Sequence, residues 1–150
     1  MYQFRADQFL PIPIEQAWAF FSAAQNLSKI TPPEMKFNVL TQLKDEEIYN
    51  RMLIDYTVRP LFGIPLHWQT EICKVERPTM FTDQQLKGPF KIWHHTHTFK
   101  SVSGGTLMSD VVDYELPLGL IGKLAHRILV KKRVENIFIF RKKILETLFK

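Results

Sequence analysis

Hydrophobic and polar positions follow two rhythms along this chain, and the places where the rhythm changes mark out its elements. Tyr2 to Leu10 alternates weakly with a period of two and predicts a first strand, which Pro11 and Pro13 end. Ile14, Ala17, Trp18 and Phe21 then recur at helical spacing, with Pro13 at the helix start. Asn26 or Ser28 is placed to cap a short second helix that Thr31-Pro32-Pro33 stops. From Lys36 the period returns to two, predicting strands over 36–43, 48–59, 65–76, 80–87, 91–101 and 106–116. Their turns are expected at Lys44-Asp45-Glu46-Glu47, Pro60 to Pro65, Arg77-Pro78 and Gly88-Pro89, short connections that make an antiparallel meander. Pro117-Leu118-Gly119 closes the sheet, and Leu120 to Phe149 reads as one long helix. Its apolar stripe drifts: Ile121, Leu124, Ala125 and Ile128 share one face, whereas Val134, Ile137, Phe138, Leu145 and Leu148 share another. A bend near Lys131-Lys132-Arg133, or a lid segment ahead of the main helix, would reconcile the two halves.

The pattern carries one anomaly. Trp93-His94-His95-Thr96-His97-Thr98-Phe99 and Leu107 to Tyr114, separated by Ser103-Gly104-Gly105, read as a β-hairpin. Alternation puts Trp93, His95, His97 and Phe99 on one face, to be matched with Met108, Asp110, Val112 and Tyr114. Two histidines and an aspartate thereby turn inward among large apolar side chains. Buried polar groups are costly unless satisfied, so the cluster suggests a binding pocket or a hydrogen-bonded brace. Two registers are open: one sets His97 opposite Asp110, and the other sets Phe99 there with His97 diagonal. The same alternation turns Tyr56, Trp68, Thr70, Phe81, Asp83 and Gln85 inward from the preceding strands.

Composition adds to this picture in three respects. The 150 residues are enough for one domain, 1–150, with a sizeable core, and 12 Phe, 4 Tyr and 3 Trp offer flat apolar surface for a cavity wall. The single Cys73 rules out an internal disulfide, and there is neither a signal peptide nor an apolar run long enough to span a bilayer, so a reducing, cytoplasmic location is the expectation. The net charge of +5 is lopsided: Leu120 to Lys150 carries nine basic residues against Glu135 and Glu146, leaving the rest of the chain slightly acidic. A solvated helix face accounts for this. Nucleic acid is not an expected partner, and at most a weak membrane-surface contact through the basic C-terminal helix is.

A His-Asp pair such as His97 with Asp110 could move a proton, because the carboxylate fixes one imidazole tautomer and stabilises its charged form. His95 and His97, two apart on a strand, also have metal-ligand spacing with Asp110 as a third donor. No second His-rich element or Cys partner supports this, so neither metal nor cofactor is expected. Walker, dinucleotide-binding, nucleophile-elbow and HExxH motifs are absent, which disfavours nucleotide hydrolysis, hydride transfer by an intrinsic cofactor, serine hydrolysis and zincin proteolysis.

One strand, two helices, six strands and a long final helix resembles the START-like helix-grip (SRPBCC) superfamily, which includes the polyketide cyclase/dehydrase-like proteins. Pro13 to Ser22, Ile30-Thr31-Pro32-Pro33, Pro65-Leu66-His67-Trp68, Phe81 to Gln85, Gly88-Pro89-Phe90, Trp93 to Phe99 and Gly104-Gly105-Thr106 are similar to a bacterial branch of it. The resemblance implies an α+β fold in which a curved antiparallel sheet grips the C-terminal helix around a cavity for a lipid, polyketide, sterol or other amphipathic molecule. It also implies, for some relatives, partnership with or fusion to epimerase-like domains. The expected ligand-binding residues are Tyr56, Trp68, Gln85, Trp93, His95, His97, Asp110 and Tyr114. The alternatives to simple binding are a cyclase, dehydratase or hydrolase using His97 and Asp110, and a peripheral membrane lipid carrier.

Overall fold

Alternation is cleanest in the strand Gly105–Glu115, where every second side chain from Thr106 to Tyr114 is buried. In the computed structural model, which describes residues 1–44 and 46–150, this strand is β7 of a seven-stranded sheet. The others are β1 (Tyr2–Leu10), β2 (Asn38–Val39), β3 (Leu53–Val58), β4 (Leu66–Glu76), β5 (Met80–Lys87) and β6 (Ile92–Val102). The order across the sheet is β1-β7-β6-β5-β4-β3-β2, with every pairing antiparallel. Register shifts in β4, between Gln69 and Thr70 and between Ile72 and Lys74, bend the sheet as bulges do. The result is the α+β helix-grip architecture: a curved antiparallel sheet around a long C-terminal helix.

The helices depart from expectation in instructive ways. α1 (Ile14–Phe21) starts behind Pro13 as anticipated. The second helix is 3₁₀, Ala24–Ile30, and neither proposed residue caps it: Asn26 Nδ2 donates to the Phe20 carbonyl at 2.9 Å and Ser28 Oγ donates to Gln25 O at 3.1 Å. The strand expected over 36–43 shrinks to β2, since Lys36 leaves a short 3₁₀ turn (Pro33–Met35) with φ of +49°. The strand expected from 48 begins only at Leu53, after Arg51 turns at φ +70°, and Ile48 instead packs into the core with its N–H on Ser22 O. The turn expected at Lys44 to Glu47 includes Asp45, which lies outside the described residues.

The C-terminal helix runs from Gly119 to Leu148 in three parts: α2 (Gly119–Ala125), a π-turn over His126–Val130 and α3 (Lys131–Leu148). One extra residue in the π-turn resets the helical phase, which is how the two apolar stripes are reconciled. One end of the grip is solid, built on Leu10, Trp18, Phe99, Met108 and Leu145, with Trp18 edge-on to Phe81 and Phe99 at 5.9 and 6.0 Å. Toward α2 the packing opens into a cavity of about 270 Å³ between sheet and helix.

Candidate functional site

The β6–β7 hairpin turns through Ser103-Gly104, with Gly104 at φ +82°, and this fixes the register with His97 opposite Asp110 and Trp93 opposite Tyr114. On the other side of β6, Asp83 is opposite His95 and Phe81 opposite His97. Three adjacent strands therefore deliver Asp83, His95, His97 and Asp110 to one patch of the concave face. Their side chains pair diagonally. His95 Nε2 donates to Asp110 Oδ1 at 2.8 Å and His97 Nε2 donates to Asp83 Oδ2 at 2.8 Å, while the imidazoles lie 3.7 Å apart. His97 Nδ1 also stands 3.0 Å from Asp110 Oδ1, close enough for charge attraction but outside hydrogen-bond geometry.

A fifth member comes from α3. Arg141 is buried opposite the cluster, its guanidinium 4.9 Å from the Phe138 ring, and it makes no ion pair among the described residues. Its Nε is a buried donor without an acceptor, as is Nε1 of Trp68, and both side chains line the cavity. Arg141 was findable in the sequence: it occupies the gap in the stripe between Phe138 and Leu145, where an apolar residue would continue the pattern.

Burial works against every charge here, and the neighbours decide which survive. Burial pulls His97 down, but the close Asp110 carboxylate and the hydrogen bond and charge of Asp83 more than reverse this, so it is held above the usual histidine value. Burial and then the nearby His97 charge push His95 below that range despite Asp110. Both carboxyls are lowered because the histidines outweigh their desolvation. These directions favour ionised carboxyls, a charged His97 and an uncharged His95; burial lowers Arg141 while Asp110 and Asp83 oppose that, so positive and negative groups face one another. A balanced buried network is tolerable where an isolated ion is not.

The cavity wall includes Tyr56, Trp68, Trp93, His95 and His97 of the sequence-derived set, and excludes the other three. Asp110 sits behind the histidines. Gln85 is turned into the β5–β6 connection, where it receives the Phe90 N–H at 3.1 Å and donates to the Phe90 carbonyl at 2.6 Å. Tyr114 is turned toward the C-terminal helix and shares a 2.8 Å hydrogen bond with His126, which stacks on Tyr2 at 3.4 Å. Alternation correctly gives the face of a strand but not the lateral lean of a side chain, and that separates Gln85 and Tyr114 from the wall. Asp83, His95 and His97 place one donor atom each within 4.8 Å of one another, so the geometric metal triad has Asp83 where the sequence suggested Asp110. Its donors are already engaged with each other and with Asp110, and Arg141 adds positive charge beside them.

Comparison with known proteins follows the same lines. No curated protein matches the chain. Among solved structures, a Thermus thermophilus protein is similar over 99% of this chain and 100% of its own, at 18% identity and a TM-score of 0.66. A Chromobacterium violaceum protein is similar over 98% of this chain and 96% of its own, at 16% identity and a TM-score of 0.72. The chain also resembles part of a nucleoside-diphosphate sugar epimerase from Corynebacterium glutamicum, at 23% identity and a TM-score of 0.65, covering 95% of this chain but 28% of that one. At these identities the likeness is one of fold. A family model described as "Polyketide cyclase / dehydrase and lipid transport" matches residues 10–138, and the chain belongs to that family.

Proposed function

We propose that this protein binds a small hydrophobic or amphipathic molecule in the cavity between its sheet and C-terminal helix. The observation that carries this reading is the combination of apolar walls with buried donors that have no acceptor, Arg141 Nε and Trp68 Nε1. An unpaired guanidinium is costly in an apolar surrounding, and a ligand bearing acceptor oxygens would meet the charge that Arg141 brings to the wall. A volume of about 270 Å³ is at the small end for ligand pockets, which favours an aromatic metabolite, a polyketide fragment or a short acyl chain over a two-tailed lipid. Membership of the family supports ligand binding in general terms.

The test is native mass spectrometry of freshly purified protein, followed by titration with aromatic and acyl amphiphiles read from the fluorescence of Trp68 and Trp93. A retained small molecule, or saturable binding that alters tryptophan emission, is the expected result. A protein that is empty on isolation and indifferent to the whole panel would refute the reading.

Proton-transfer chemistry is a second reading, favoured by one observation. Burial lowers His95, and its hydrogen bond to Asp110 uses Nε2 as the donor, leaving Nδ1, 3.9 Å from Asp83 Oδ2, as the free ring nitrogen of this cavity-lining residue. That makes His95, oriented by Asp110 and shifted downward, a better general base than His97, which is shifted upward and holds its proton more tightly. Turnover of a bound polyketide or ester that disappears in His95→Gln, with binding retained, would favour a cyclase, dehydratase or hydrolase.

A further inference from the structure

The outer end of the C-terminal helix is packed inside out. Its buried positions are Gly122, His126 and Val130, with Ala125 half-buried, and a Cβ on Gly122 would collide with the Pro117 carbonyl oxygen. The small residues therefore hold α2 against the body, and the large apolar ones face outward: Leu120 is 81% exposed, Ile121 69%, Leu124 59% and Ile128 61%. A helix in a soluble fold ordinarily does the reverse, and a contiguous apolar face of this kind marks an interaction surface.

Two further observations identify what the surface meets. It rims one end of the cavity: Leu61, Leu116 and Val130 line the cavity, while Phe62, Leu118 and Ile128, one or two residues away along the chain, are exposed. Arg133 Nε donates to the Pro60 carbonyl at 2.5 Å and ties the 60–65 loop, with its 80%-exposed Phe62, to the helix. The frame of the patch is purely basic. Lys123, Arg127, Lys131 and Lys132 are exposed around it, and no acidic residue occurs between Glu115 and Glu135. A second copy docked on this face would oppose like charges, and nucleic acid would leave the leucines and isoleucines unpaired.

We propose that α2, the π-turn and the 60–65 loop form a docking face for an anionic lipid bilayer, the apolar side chains entering the interface and the basic ones meeting the head groups. This arrangement presents the rim of the cavity to the membrane, so that a ligand can pass between bilayer and protein without crossing water. An in-plane helix with apolar residues on one side and lysine and arginine beside them has the composition that interfacial binding requires.

The test uses the intact chain and flotation with phosphatidylcholine vesicles made with or without a third of phosphatidylglycerol. Binding is expected to the anionic vesicles at low salt and to weaken in high salt, where the reach of charge falls from about 10 Å at 0.1 M to about 3 Å at 1 M. The double variant Leu120→Ser/Leu124→Ser, which leaves charge unchanged and touches no cavity residue, should lower the partition coefficient by about tenfold or more. Neutralising Lys123, Arg127, Lys131 and Lys132 together with glutamine should lower it by more than about a hundredfold, at roughly fivefold each. Lack of binding to anionic vesicles at low salt would overturn the proposal, and so would binding that the double serine variant leaves unchanged. A self-association or an acidic protein partner that this variant abolishes, without vesicle affinity in the parent, would overturn it too. None of these outcomes bears on whether the cavity holds a ligand, which the titration above decides separately.

Discussion

Replacing Asp110 by asparagine keeps the shape of the site and removes one negative charge from a cluster whose charges otherwise offset one another. Asp110 accepts a 2.8 Å hydrogen bond from His95 and stands 3.0 Å from His97, both side chains buried. Breaking a buried charged contact of this kind costs about 3–5 kcal/mol. For a chain of this length, that corresponds to a fall in Tm of roughly 10 °C. The cluster has one route of relief, because His97 can shed its proton, and that makes the cost depend on pH. His97 is raised in the folded parent, so its contribution to stability is complete below the unfolded histidine value of about 6.5 and is lost as pH rises through the folded value. In Asp110→Asn, burial is opposed only by Asp83, and folding below pH of about 6.5 must expel the proton that the parent keeps. The penalty is therefore greatest near about pH 5–6 and shrinks as pH rises beyond the folded value of His97. In the parent, Asp83 and Asp110 are lowered, so their contribution is present above about pH 4 and is lost as pH falls through their folded values. Urea midpoints of parent and variant, measured from pH 5 to pH 9, give the difference directly. A penalty below about 1 kcal/mol throughout, or one that stays flat across this range, would refute the balanced-charge account.

The other side chains divide by whether they face the cavity. Trp93→Ala removes an aromatic wall and is expected to weaken binding of any amphiphile found in the screen by about 1–3 kcal/mol while unfolding stays cooperative; loss of folding with unaltered affinity would make Trp93 simple core. Arg141→Met should cost a ligand with an acceptor head group about tenfold, or ~1.4 kcal/mol, and its neutral hydrocarbon analogue much less, measured by tryptophan quenching; equal losses for both would sink the role given to the orphan guanidinium. Tyr114→Phe deletes the hydrogen bond to His126 and should lower stability by about 0.5–1.5 kcal/mol without changing affinity, because Tyr114 is off the wall; a large affinity loss would return it to the binding set.

These divisions follow what could and could not be read from the chain. Period-two alternation gave the strands and the inward set on β6 and β7, because facing is a local property of an extended backbone. The pairing of His95 with Asp110 and of His97 with Asp83 was not legible, since it depends on how three strands register and how each side chain leans. Gln85 shows the same limit: its face is that of the cavity, and its amide is taken by the backbone of Phe90 five residues on. Strand length failed where a single residue with positive φ, Lys36 or Arg51, broke a run that its neighbours would have continued.

The stretch from Gly119 to Val130 is where sequence and structure diverge most usefully. Its apolar residues have helical spacing, and the usual inference from such a stripe is that it faces the core. Which face turns inward is settled by fit rather than by hydrophobicity alone: α2 lies so close to the Pro117 backbone that only Gly122 can occupy the contact, and His126 is drawn inward by Tyr114 and Tyr2. With that face fixed, Leu120, Ile121, Leu124 and Ile128 have no route to the core, and the π-turn after Ala125 resets the phase so that Val134 and Phe138 can face the cavity in α3. The drift in the stripe, which reads in sequence as an imperfection of one long helix, is thus the junction between a segment that covers the cavity and one that faces outward beside its rim.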